Sequence, residues 1–161
     1  MNSGDRAEGG FIASRVLVSH AAAALMRELI DRHGPLLFHQ SGGCCDGSAP
    51  MCYEDGDFLI GDTDVLLGRL AVGEAPTEVW ISGPQFTAWQ HTQLLIDAVP
   101  GRGAGFSLEA PTGQRFLSRA RVIPEAADLP VALTGAEVEA GANLPGPTAP
   151  VDPESVGVFC G

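Results

Sequence analysis

The sequence predicts an α+β domain in which one N-terminal helix precedes a mostly antiparallel sheet and an extended C-terminal tail follows. Three observations predict it. A single stretch carries apolar residues at helical spacing, namely Ala22, Leu25, Met26, Leu29 and Ile30. Beyond Gly34-Pro35 the period changes to short apolar runs parted by glycine and aspartate. After Ile123, prolines and acids take over. One helix followed by a succession of strands is the pattern of the α+β class.

Taken in order, residues 1–14 are polar and glycine-containing and are expected to form a flexible arm. Ser19 is placed to cap a helix running to about His33, which Gly34 and Pro35 then stop. Leu36 to His39 reads as a strand, followed by Phe58 to Ile60, Val65 to Val72 and Glu78 to Ser82. Pro84 opens one helical turn with Phe86 and Trp89 on one side. Leu94 to Val99, Gly105 to Leu108 and Arg115 to Ile123 complete the strands, with a turn at Ala110-Pro111-Thr112-Gly113 joining the last two. Residues 15–123 form the expected domain. Residues 124–161 hold six prolines, six acids and no basic residue, and are expected to be an extended Pro/Gly-rich tail. Its end, Val156 to Gly161, turns apolar and carries Cys160.

At 161 residues the chain is long enough for one self-sufficient core. A net charge of −11 argues against nucleic acid as a partner. There is no basic-then-apolar leader, and the most apolar stretch, Val16 to Met26, is too short and too polar to span a membrane. The expectation is a soluble, cytoplasmic protein. In that compartment four cysteines are thiols or metal ligands before they are disulfides.

The chemistry concentrates in Leu37 to Cys52. Three of the four cysteines, Cys44, Cys45 and Cys52, lie there among glycines, with His39 ahead of them. The spacing His-x4-Cys-Cys-x6-Cys is a plausible ligand set, although it is not the Cys-x2-Cys knuckle of structural zinc. Adjacent cysteines on an extended strand face opposite ways, so Cys44 and Cys45 share one ion only if the chain kinks. The competing reading makes one of them a small buried residue. His91, two residues after Trp89, is a further candidate ligand, against the plainer role of a packing histidine. Candidate metals are iron, zinc or an iron–sulfur cluster, with Cys160 as a distant donor.

Other stretches are weaker. Gly101 to Phe106 is glycine-rich but opens onto a strand, so it is not a dinucleotide fingerprint. The acids of Glu54 to Asp57 and Asp62 to Asp64 lack the order of a calcium loop and read as solvated turn residues. Arg115, Arg119 and Arg121 alternate on one strand face, with Arg102 in the preceding loop; packing against the acidic tail is the simpler expectation and an anionic ligand the alternative.

The helix, Gly42-Gly43-Cys44, Ile96-Asp97 and Gly103 to Pro111 together resemble the A-type iron–sulfur carriers, the HesB-like family. The likeness spans roughly Val16 to Pro111. It implies a small β-sandwich with the helix packed on it, often assembled as a homodimer. Those carriers end in a Cys-Gly-Cys pair, where this chain has Arg115-Phe116-Leu117-Ser118-Arg119. Only Cys44 matches a carrier ligand. A closer resemblance, over about Arg15 to Ile123, is to the bacterial family called domain of unknown function 779. It is carried by His39 to Ser48 and by Asp97-x-Val99-Pro100-Gly101-Arg102-Gly103. Members are often encoded beside aldehyde dehydrogenases. The resemblance therefore implies a non-catalytic accessory or regulatory protein whose partner is an aldehyde dehydrogenase. The rival expectations are a free-standing metal or iron–sulfur protein and, after that, a small thiol enzyme using Cys44 or Cys45.

Overall fold

The computed structural model describes residues 13–40, 49–102, 107–123 and 129–155. Helix α1 (His20–His33) begins where its cap requires, because the Ser19 hydroxyl accepts the Ala22 N–H at 3.0 Å. Arg32 and His33 sit in the last turn, where positive charge suits the helix dipole, and the Gly34 N–H closes on the Ile30 carbonyl at 2.8 Å. Ala22, Ala23, Leu25, Met26 and Leu29 form its buried stripe.

Two sheets share one core. The smaller has β1 (Val16–Val18), β6 (Thr92–Pro100) and β7 (Gln114–Val122), in the order β1-β6-β7. The larger has β2 (Leu36–Gln40), β3 (Met51–Glu54), β4 (Val65–Leu70) and β5 (Thr77–Ile81), in the order β3-β2-β5-β4. Between β5 and β6 runs α2 (Gly83–Trp89), started by Pro84 as expected, with Phe86 and Trp89 packed on the core. Inward residues of the two sheets meet the α1 stripe in one apolar cluster, including Val16, Phe38, Val79, Ile96 and Phe116. Phe38 and Phe116 cross edge to face at 4.9 Å between ring centroids.

The α+β class is as expected, but the sheets are mixed. Alongside the antiparallel pairs, β1 runs parallel to β6, and β2 parallel to β5. Neither pairing is visible in a pattern of apolar residues, because parallel neighbours lie far apart in sequence. Four strands lie outside those expected: β1, whose valines read as part of the apolar run into the helix, β3, and two short ones in the C-terminal segment. Phe58 to Ile60, expected as a strand, is loop. The expected strand from Gly105 to Leu108 falls partly outside the described residues, and Ser107 and Leu108 lie in a turn.

Residues 129–155 are laid against the domain. They contribute β8 (Leu133–Thr134), α3 (Gly135–Glu139) and β9 (Pro147–Thr148). Strand β8 pairs with Val65 and Leu66 of β4, and β9 with Arg69 and Leu70 of the same strand. Val151 bridges to Ser19 and packs on Leu17 and Leu95. The expected tail is thus partly extended, yet it is tied down by backbone hydrogen bonds along β4 and at the end of β1. An acidic composition does not prevent this, since the ladder uses peptide groups and not side chains.

Two of the alternating arginines bond within the smaller sheet. Arg119 donates from Nε to Asp97 at 2.8 Å and Arg121 from Nε to Gln93 at 2.9 Å, both across β6–β7. Two other arginines hold the described C-terminal segment through its carbonyls. Arg15 donates to Pro130 and Arg69 to Pro145, each at 2.8 Å.

Candidate functional site

Strand alternation sorts the sequence candidates onto two faces. Along β2, Phe38 turns into the shared core while Leu37 and His39 face outward. The outer face carries a second apolar cluster of Leu37, Leu66 and Trp80, covered by Tyr53, Phe58, Ile60 and by Val138 of α3. His39 stands beside it near the C-terminal end of β2, its ring 4.4 Å from that of Phe58, which in turn stacks on Tyr53 at 4.9 Å.

The imidazole Nε2 lies 3.2 Å from Oδ1 of Asp64, and the side chains are only 4% and 16% exposed. The second carboxylate oxygen of Asp64 accepts the Gly61 N–H at 2.8 Å. Asp64 is therefore no merely solvated turn residue. It had no signal in the sequence, because 25 residues separate it from His39 and only the parallel β2–β5 pairing, with β4 beyond, brings the two together.

Cys52 is on the other face. It pairs with Phe38 across β2–β3, is 0% exposed and belongs to the shared core. Burial pushes its thiol pKa far up, and the nearby charge of Glu109 pushes it further. The protonated thiol is then the stable form, a poor nucleophile and a poor ligand. Its backbone is held from the turn ahead of β7. The Cys52 N–H donates to the Ser107 hydroxyl at 2.8 Å and its carbonyl accepts the Leu108 N–H at 3.0 Å. Ser107 in turn donates to Glu109, a fully buried carboxylate whose other oxygen accepts the Phe116 N–H at 3.4 Å.

The structure thus brings His39 together with Asp64 and holds Cys52 away from both. His91 is exposed in the turn between α2 and β6, where its carbonyl accepts the Ile123 N–H. Cys44, Cys45 and Cys160 lie outside the described residues. Among the described residues, no three of His, Cys, Asp and Glu gather as a metal cluster. None of the helices among them is long and apolar enough to cross a membrane.

Fold and site define a small α+β protein that presents a buried His–Asp pair near the end of the strand leading into Cys44-Cys45. Residues 25–122 match the family model for a domain of unknown function, DUF779, and since this is more than half of the chain, the protein belongs to that family. The match runs from α1 through β7 and leaves the C-terminal segment outside. No curated protein matches the chain. No solved structure matches it either.

Proposed function

We propose that this protein is a non-catalytic accessory factor for an aldehyde dehydrogenase, working through a metal or thiol site built from His39, Cys44 and Cys45. The supporting observation is the His39–Asp64 pair near the C-terminal end of β2, in the strand that runs into Gly42-Gly43-Cys44-Cys45. A carboxylate on one ring nitrogen is the usual support of a metal-binding histidine. Thiolate and imidazole donors together suit zinc or iron. Cys52 is left out of this donor set, because its thiol sits in the core on the opposite face of β2–β3. The order of helix, Gly-Gly-Cys stretch and later strands favours a HesB-like arrangement in which Cys44 occupies the loop-ligand position.

The dehydrogenase partnership rests on the family resemblance. It is tested by co-purifying the full chain with an aldehyde dehydrogenase from the same organism. A stable complex at micromolar concentration is expected, and two species that sediment independently would exclude the partnership. Anaerobic purification followed by metal analysis tests the site separately. One zinc or iron per chain is expected, and a metal-free protein with intact thiols would reject the metal form of the reading.

A further inference from the structure

The carboxylate beside His39 has a support of its own. The turn that carries it, Gly61 to Asp64, is closed by the Asp64 N–H donating to the Gly61 carbonyl at 3.1 Å. The C-terminal segment docks on this turn. Gly135 donates its N–H to the Asp64 carbonyl at 2.7 Å, and Ala136 donates to the Asp62 carbonyl at 3.2 Å. The approach is so close that a Cβ on Gly135 would collide with the Gly61 carbonyl oxygen. On another side, a Cβ on Gly83 would come within 2.8 Å of the Thr63 carbonyl oxygen. Thr134 and Glu137 form a capping box that fixes the docking end of α3, with the Glu137 N–H on the Thr134 hydroxyl at 3.2 Å and the Thr134 N–H on the Glu137 carboxylate at 2.8 Å.

We infer that Asp64 is a positioning residue that fixes the tautomer of His39, and that the docked segment Thr134–Ala136 locks Asp64 in place. An ionised carboxylate only accepts hydrogen bonds, so its partner nitrogen carries the proton. The proton facing Asp64 is thereby assigned to Nε2 of His39, and Nδ1 is the nitrogen that would serve as the ligand. The inference deepens the reading of His39 as a ligand and rests on it for its functional meaning. The geometric claim stands without any metal. Seating of the C-terminal segment then becomes a means of tuning the site, since lifting α3 off the turn removes two of the backbone bonds that hold it.

The test uses the full-length, metal-free chain at pH 8, with the His39 side chain assigned by loss of its signals in His39→Gln. Proton–nitrogen correlation spectra are expected to show a hydrogen-bonded Nε2 proton on His39. That signal should vanish in Asp64→Ala and shift in Gly135→Ala. Thr134→Ala, which removes only the cap, should shift it less and covers the case in which Gly135→Ala does not fold. An Nδ1–H tautomer in the wild type, or an Nε2 proton unchanged in Asp64→Ala, overturns the positioning role. A wild-type signal in both Gly135→Ala and Thr134→Ala overturns the lock. Zinc titration separates this inference from the ligand reading. If zinc binds, Asp64→Ala should weaken it about 10- to 100-fold. If zinc does not bind while the Nε2 proton behaves as stated, the metal reading falls and the positioning of His39 stands.

Discussion

Asp97 shows how one residue ties the helix to the smaller sheet. Its carboxylate accepts the Ser19 hydroxyl at 2.6 Å and the Arg119 Nε at 2.8 Å, so the α1 cap, β6 and β7 meet at one side chain. Burial alone would raise its pKa. The hydrogen bonds from Ser19, Arg119 and the Ala98 N–H, with the charge of Arg119, outweigh burial and hold the carboxyl below its ordinary value of 3.8. A depressed carboxyl stabilises the fold at every pH above the ordinary value and loses that effect as pH falls through the folded one. Asp97→Asn should therefore cost about 2 kcal/mol at pH 7, a size usual for hydrogen bonds to a charged group. The gap to wild type should narrow in urea denaturation at pH 3, and an equal gap at both pH values would contradict the account. Ser19 was legible as a cap because capping is local. The Asp97 and Asp64 partnerships were not, because each depends on which strands come to lie side by side.

At the scale of elements, the turn ahead of β7 ties together strands from the two sheets. Through Ser107 and Leu108 it satisfies the backbone of β3 at Cys52, and through Glu109 it satisfies the Phe116 N–H of β7. The sequence suggested a strand here, yet what it encodes is a buried acid bridging to a neighbouring strand. Among the described groups that bond it, Glu109 meets only donors. Glu109→Gln leaves one acceptor oxygen for two donors, so either the Phe116 N–H or the Ser107 O–H loses its acceptor. A loss of roughly 1–3 kcal/mol follows, the cost of an unsatisfied buried polar group, read from the denaturation midpoint, whereas a midpoint like the wild type would show that the bridge is dispensable. Helix α1 and strands β2, β4, β5, β6 and β7 were readable because their periods are strong over five or more residues. Strands β8 and β9, two residues each, carry no periodic signal at all.

Across the whole molecule, the C-terminal segment is part of the fold. It covers the edge of β4 and packs Val151 over Leu17 and Leu95 on the outer face of the smaller sheet. Ending the chain after Ile123 should lower the melting temperature and promote self-association through the bared strand. Light scattering and thermal denaturation of the truncated protein check this, and a monomer as stable as the full chain would show that the segment is only an appendage. The same architecture divides the sequence candidates. His39 and Asp64 meet outside the core, while Cys52, which shares the cysteine-rich stretch with Cys44 and Cys45, is part of the core. A linear reading groups Cys52 with His39 by proximity, and strand alternation puts the two on opposite faces. The most direct test of the account is metal content after anaerobic purification of four proteins: wild type, His39→Gln, Cys44→Ser and Cys52→Ala. One metal per chain in wild type and in Cys52→Ala, with loss in His39→Gln and Cys44→Ser, is the predicted result. Metal lost from Cys52→Ala with its fold intact, or kept in His39→Gln, would contradict it.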